Sequence, residues 1–331
     1  MLSSISSSSL ARLAVLILTL PACVLGIEAY CHLSGRYAAT TYYFLKNAAF
    51  SDPTNAVFGD SHVMATSRIP EFSFYGWAGE QPEELNTLTR YFYNATKPGK
   101  IILQADPQWF GEYHEKRQKF VTQRNLISRR FPTVLSSAYY WETLRPNIVA
   151  SGYDVANQII SSAHAQETSP VRARAAAAEK RWVELYPRQD FNWTWLSPDD
   201  RADLTEVRVL EQNPRADFVR STSAAEFEEA ISRLVERGAN VCLFRTPVTQ
   251  EYLKMTSSIP DSRFAEFEGY INKIASRFKL RQVDFRDLPR NFSDQAFANS
   301  DHLLDSESIA LWPLVARACF DDGRSVDEPD K

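Results

Sequence analysis

Close-spaced cysteine pairs are missing from this sequence: its four cysteines stand at 23, 31, 242 and 319. That excludes zinc knuckles and CxxC redox motifs. No Walker loop, GxGxxG or HExxH occurs, so phosphate-cradling and metalloprotease signatures are absent too. Basic excess is also lacking, with 37 Lys+Arg against 41 Asp+Glu and a net charge of −4. A nucleic-acid backbone would meet no cationic face, and no nucleic-acid partner is expected. There is no internal repeat and no low-complexity linker. What remains is ordinary globular composition, 44% apolar and 24% charged, over 331 residues. That length suits two average domains, or one large α/β domain with an insertion.

The first thirty residues stand apart. Ser3, Ser4 and Ser6 to Ser9 lead to Arg12 and an apolar run from Leu13 to Ile27. As helix, that run reaches about 22 Å, short of the ~30 Å hydrocarbon core. Counting from Leu10 to Tyr30, with Arg12 and Glu28 snorkelling at the ends, restores about 30 Å. A cleaved secretory signal and an uncleaved anchor both stay open, and the lack of a small-x-small site closing the run favours the anchor. Residues 1–31 are read as membrane anchor or signal segment, and 32–331 as the body. Either way the body is exported: membrane-anchored on the extracytoplasmic face, or secreted if the signal is cleaved. Cysteines can oxidise there, with Cys31–Cys319 as a candidate pair. Sequons at Asn94, Asn192 and Asn291 matter only in a eukaryotic secretory host.

The body alternates strand and helix patterns. Strands are expected at Ala56 to Phe58, Lys100 to Leu103, Asn240 to Phe244 and Arg281 to Phe285, the last alternating and so nearer an edge. A helix capped by Ser223 should run to a glycine stop at Gly238. Another should open at Asp261, with Phe264, Phe267, Ile271 and Ile274 on one stripe, and a last one should span roughly Asp305 to Phe320. This order predicts a parallel α/β sheet. Residues from about 108 to 220 show helical spacing and no buried strand, and read as a helical insertion over the sheet's carboxyl edge. The basic cluster from Lys116 to Arg130 within it reads as a solvated face.

Chemistry concentrates at two places. Gly59-Asp60-Ser61-His62 follows the first strand directly, where a tight strand-to-helix turn would lift the Ser61 hydroxyl to the top of the sheet. A serine hydroxyl is inert at its free pKa and needs a base. His302, after Ala298-Asn299-Ser300-Asp301 and before the last helix, is the candidate among five histidines.

At this pair the chain resembles the SGNH (GDSL-type) hydrolases. Within them it is most similar to the membrane-anchored extracytoplasmic branch, which includes the alginate O-acetylation proteins and the protein of D-alanine transfer to teichoic acids. The resemblance spans most of residues 55 to 320. It implies a three-layer α/β/α sandwich with a parallel sheet, Ser61 as nucleophile and His302 as base. It implies oxyanion donors from Gly79, with Gly76 in reserve, and from Gln104, which replaces the family's asparagine after the second strand. Asn299 or Asp301 would orient His302. No metal or organic cofactor is implied. The implied substrate is an acylated extracytoplasmic glycan or a small ester, and a membrane-bound acyltransferase is an implied partner.

The last block departs from the pattern. Where the family has aspartate three residues before the histidine, this chain has Asn299, and Asp301 is adjacent to His302. Side chains of neighbours in an extended segment diverge, so Asp301 is not expected to reach the ring. An amide in the third position favours the wrong tautomer and costs about 10⁴ in rate in the serine-protease template. Two functions therefore stay open: a serine-dependent acyl-ester hydrolase or acetyl transferase, and a catalytically impaired relative that binds carbohydrate or scaffolds a polysaccharide-modifying complex.

Overall fold

A computed structural model describes residues 54–63, 69–76, 81–93, 96–111, 170–185, 191–286 and 292–321. The anchor or signal segment, Gly79, the basic cluster and much of the expected insertion lie outside the described residues. Among the described residues no helix is long and apolar enough to cross a membrane.

Five strands form one all-parallel sheet: β1 (Ala56–Gly59), β2 (Ser73–Gly76), β3 (Lys100–Gln104), β4 (Asn240–Arg245) and β5 (Arg281–Asp284). Their order is β2-β1-β3-β4-β5. Four of them match the sequence reading. β2 escaped it because Ser73-Phe74-Tyr75-Gly76 is short and half-buried, with no apolar run to mark it. β5 takes the expected edge and is mostly exposed. The helices are α1 (Pro82–Phe92), α2 (Pro170–Leu185), α3 (Pro198–Gln212), α4 (Thr222–Glu236), α5 (Gln250–Ser258), α6 (Phe264–Phe278) and α7 (Asp305–Phe320). The chain is α/β, and the described parts of the 108–220 stretch are mostly helical, with α2 and α3 as regular elements and one antiparallel bridge between Gly111 and Pro214.

Period-two alternation sends neighbouring strand residues to opposite faces. Val57, Ile102, Cys242 and Phe244 meet Leu311, Trp312 and Val315 of α7. Phe58 points the other way and packs on Tyr75, Phe92 and Tyr93. On that side α1 is tied to α4 by Ser223 donating to Glu83 and Asn86 donating to Glu229. Helices therefore cover both faces. Each fully buried phenylalanine, such as Phe58 or Phe244, contributes about 1.5–3 kcal/mol.

Local signals explain the helix ends. Ser221, two residues before the expected Ser223, caps α4 by accepting from the Ala224 N–H, and Ser223 instead lies buried inside the helix. Gly238 follows with φ +85, the left-handed stop a C-terminal glycine supplies. α6 starts at Phe264 rather than at Asp261, and α7 begins and ends as expected.

Cys319 pairs with Cys242, not with Cys31. Cys242 points from β4 toward α7, and Cys319 continues the buried stripe of that helix, so the sheet presents the partner directly. Asn192 is engaged as well: its side-chain oxygen accepts from the Thr194 N–H at 2.9 Å and the hydroxyl at 2.6 Å.

β1 has β2 on one side and β3 on the other. Connections diverge there, which opens a crevice at the carboxyl ends of β1 and β3, where doubly wound sheets bind ligands.

Candidate active site

The turn after β1 sits at that crevice. Gly59 is required by a close approach: a Cβ there would lie 2.2 Å from Gln104 Oε1 and 2.3 Å from Val63 Cγ2. The turn closes with the Val63 N–H donating to the Asp60 carbonyl at 3.0 Å. It leaves Ser61 partly exposed while Asp60 and His62 are buried.

Ser61 Oγ lies 2.7 Å from His302 Nε2 across 241 positions of sequence. The ring comes from a tight loop before α7. An antiparallel bridge joins Phe297 to Leu303, and the Ala298 N–H donates to the His302 carbonyl at 2.8 Å. Inside the loop, Asn299 Oδ1 accepts from the backbone N–H of Asp301 at 3.0 Å and of His302 at 2.8 Å. This curl puts Asp301 Oδ1 3.0 Å from His302 Nδ1, with Asn299 Oδ1 at 3.1 Å from the same nitrogen. The expectation that Asp301 would diverge is thus corrected, because the segment is a cinched turn and not extended chain.

The arrangement also assigns the tautomer. Two backbone donors fix the Asn299 amide with its oxygen toward the ring. Nδ1 then faces two acceptors and carries the proton, leaving Nε2 free to accept from the Ser61 hydroxyl. The amide at 299 therefore supports the productive tautomer.

Asp301 is held from behind. Arg208 Nε donates to its Oδ2 at 2.9 Å and Gln212 Nε2 at 2.6 Å, both from α3. Tyr252 on α5 donates to Gln212 Oε1. Burial alone would raise the Asp301 carboxyl, but Arg208, His302 and His62 more than offset it and hold it well below the usual carboxylate range. His302 is shifted down, first by burial and then by the neighbouring His62 charge, with Asp301 opposing.

His62 forms a second pair. Its Nδ1 lies 2.6 Å from Asp60 Oδ1 and its Nε2 3.5 Å from Asp301 Oδ2. Its ring stacks on His302 with centroids 4.0 Å apart and planes at 19°. Burial works against the His62 charge, yet Asp60 and Asp301 together push its pKa up to about 10. Asp60 is lowered, burial again being outweighed by His62 and by Gln108.

Gln104 reaches this turn, but both ends of its amide are engaged. Its oxygen accepts from the Asp60 N–H at 2.8 Å, and its nitrogen donates to Asp106 Oδ2 at 2.9 Å. It is fully buried, one layer behind Ser61. Gly76, the reserve donor, ends β2 in register with Gly59.

Ligand atoms of His62, Asp301 and His302 lie within 4.8 Å of one another, close enough to consider a metal ion. The donor set fits one poorly. Stacked rings send their in-plane lone pairs side by side rather than to one point, and Asp301 Oδ2 already accepts from Arg208 and Gln212. Beyond His62 lies a small pocket lined by Asp106, Gln108, Gln212, Arg245, Tyr252 and Asp301 among others.

Ser61, His302, Asn299 and Asp301 are thus brought together, and Gln104 braces the turn. Sequence reading missed His62, Arg208 and Gln212. His62 stands next to the nucleophile, so its polar neighbours were a usable signal. Arg208 and Gln212 sit four apart on α3 and share one face, but nothing in the sequence aims that face at residue 301. In comparisons with known proteins, no protein-family profile matches this chain and no curated protein does.

Proposed function

We propose that this chain is a serine-dependent acyl-ester hydrolase or acyl transferase. The contact of Ser61 Oγ with His302 Nε2 at 2.7 Å, spanning 241 positions, carries the reading. The His302 ring takes the Ser61 proton on Nε2 as the hydroxyl attacks an acyl carbonyl, and Asp301 offsets the charge that develops on the ring. The ring then returns the proton to the departing alkoxide. Water or an acceptor hydroxyl releases the acyl group by the same path in reverse. The Ser61 backbone N–H would meet the tetrahedral oxyanion. Gly79 stays the second donor the family resemblance implies, while Gln104 is assigned the bracing of the turn.

The wider reading follows the SGNH resemblance: a three-layer sandwich, anchored at or exported through a membrane, acting on an acylated extracytoplasmic glycan. The strand order and a nucleophile at the divergence of β1 and β3 support the fold. The Cys242–Cys319 bond supports an oxidising compartment. The glycan and a membrane-bound acyltransferase partner rest on resemblance alone. The impaired-relative reading loses its main argument, because Asp301 supplies the carboxylate that position 299 lacks.

The test is turnover of p-nitrophenyl acetate by the full chain and by Ser61→Ala. Turnover should vanish in the variant while thermal stability holds, since a partly exposed turn serine carries little packing. Wild-type turnover in Ser61→Ala would remove Ser61 from the role.

A further inference from the structure

The His62–Asp60 pair has no part in the proton path from Ser61 to Asp301, yet it is the most tightly built feature beside it. Asp60 accepts from the His62 ring at 2.6 Å and from the His62 N–H at 3.0 Å. Gln108 Nε2 holds its other oxygen at 2.8 Å. An imidazole pinned on one edge by one carboxylate, 3.5 Å from a second on the other, is a natural cation. That cation lies face to face with the proposed base.

We propose that the Asp60–His62 pair is a fixed cationic platform beneath the catalytic ring, a positioning device against which His302 and Asp301 are both held. The inference rests on the esterase reading of the same site. Two consequences follow. The platform limits the tilt of His302, so Nε2 stays aimed at Ser61. Its charge also opposes a proton on His302, so the base remains free at acidic pH, where an isolated histidine would be lost. Other titratable or charged groups around the two rings are Asp301, Arg208 from α3, and Asp106, Arg245, Arg286 and the neutral phenol of Tyr252 around the pocket behind His62. Arg208 acts on His302 in the same direction as His62, and Asp301 acts against both. Arg245 is matched by Asp106 and Glu268, and Arg286 by Asp284 and Glu268, so these cations are locally neutralised.

The experiment follows His302 by NMR in the full chain in detergent. With imidazole carbons labelled, only five histidines give signals, and each is assigned by substitution. In His62→Gln the His302 midpoint should rise by about one pH unit or more, the shift typical of removing a like charge at this distance. Asp60→Asn, which strips His62 of its counter-ion, should move it the same way and stands as the second test if His62→Gln does not fold. The acid limb of p-nitrophenyl acetate turnover should move to higher pH in step. A His302 midpoint unchanged in either variant, with circular dichroism showing it folded, would overturn the platform. The titration reads the platform whether or not the protein turns over an ester. A shifted midpoint without turnover would therefore count against the esterase reading and leave the electrostatic one standing.

Discussion

At position 299 a single amide organises the loop that carries the candidate base. Asn299 locks the loop through two backbone donors, and the lock turns the Asp301 carboxylate onto the His302 ring. Asp301→Asn should therefore lower kcat, by less than the ~10⁴ lost in the template enzyme, because the Asn299 oxygen still holds the productive tautomer while the charge opposite the imidazolium is gone. Asn299→Asp should bring no gain in ester turnover, because it places a second negative charge beside one already present. Comparing kcat of the two variants checks this, and a large gain in Asn299→Asp with no loss in Asp301→Asn would exchange their roles. The depressed His302 pKa sets the pH dependence: the wild-type acid limb should fall below 6.5, the ordinary histidine value. Ser61 and His302 were legible in the sequence because a glycine-flanked serine ended a strand pattern and one histidine preceded the last helix. The reach of Asp301 was not, since it depends on a cinched loop that no residue pattern announces.

At the scale of elements, the site depends on how closely the turn after β1 approaches β3. Gly59→Ala forces a methyl into Gln104 and Val63. It should cost about 1–3 kcal/mol by overpacking and should slow turnover more than its stability loss explains, because Ser61 is displaced. Chemical denaturation combined with kinetics separates the two effects. The second link is the Cys242–Cys319 bond between β4 and α7, which closes a loop of sequence separation 77. Replacing both with alanine should destabilise by roughly 2–4.5 kcal/mol, with the upper end set by loop-closure entropy. An unchanged denaturation midpoint would mean that the bond does not form. Strand and helix patterns were readable where apolar runs were long, as in β3, β4 and α7. They failed at β2, whose few residues carry too little pattern, and the pairing of Cys319 needed the face of β4 to be known.

Over the whole molecule, the buried charges of the site set how stability follows pH. Asp60 and Asp301 are lowered, so their contribution is present above the ordinary carboxylate pKa of 3.8 and is lost as pH falls below it. His62 is raised from 6.5 to about 10, so its contribution is full below 6.5 and drains away as pH climbs toward 10. His302 is lowered and adds a loss of stability below 6.5. Thermal melts should therefore show an alkaline decline that His62→Gln flattens, and an equal decline in both proteins would refute the buried imidazolium. The central claim, that one serine in this sheet is activated by its histidine, is tested most directly by a fluorophosphonate probe on the full chain, with the modified peptide located by mass spectrometry. The account predicts a single adduct on Ser61, lost in Ser61→Ala and strongly slowed in Asp301→Asn. A folded protein that stays unlabelled, or that carries the label elsewhere, would contradict it.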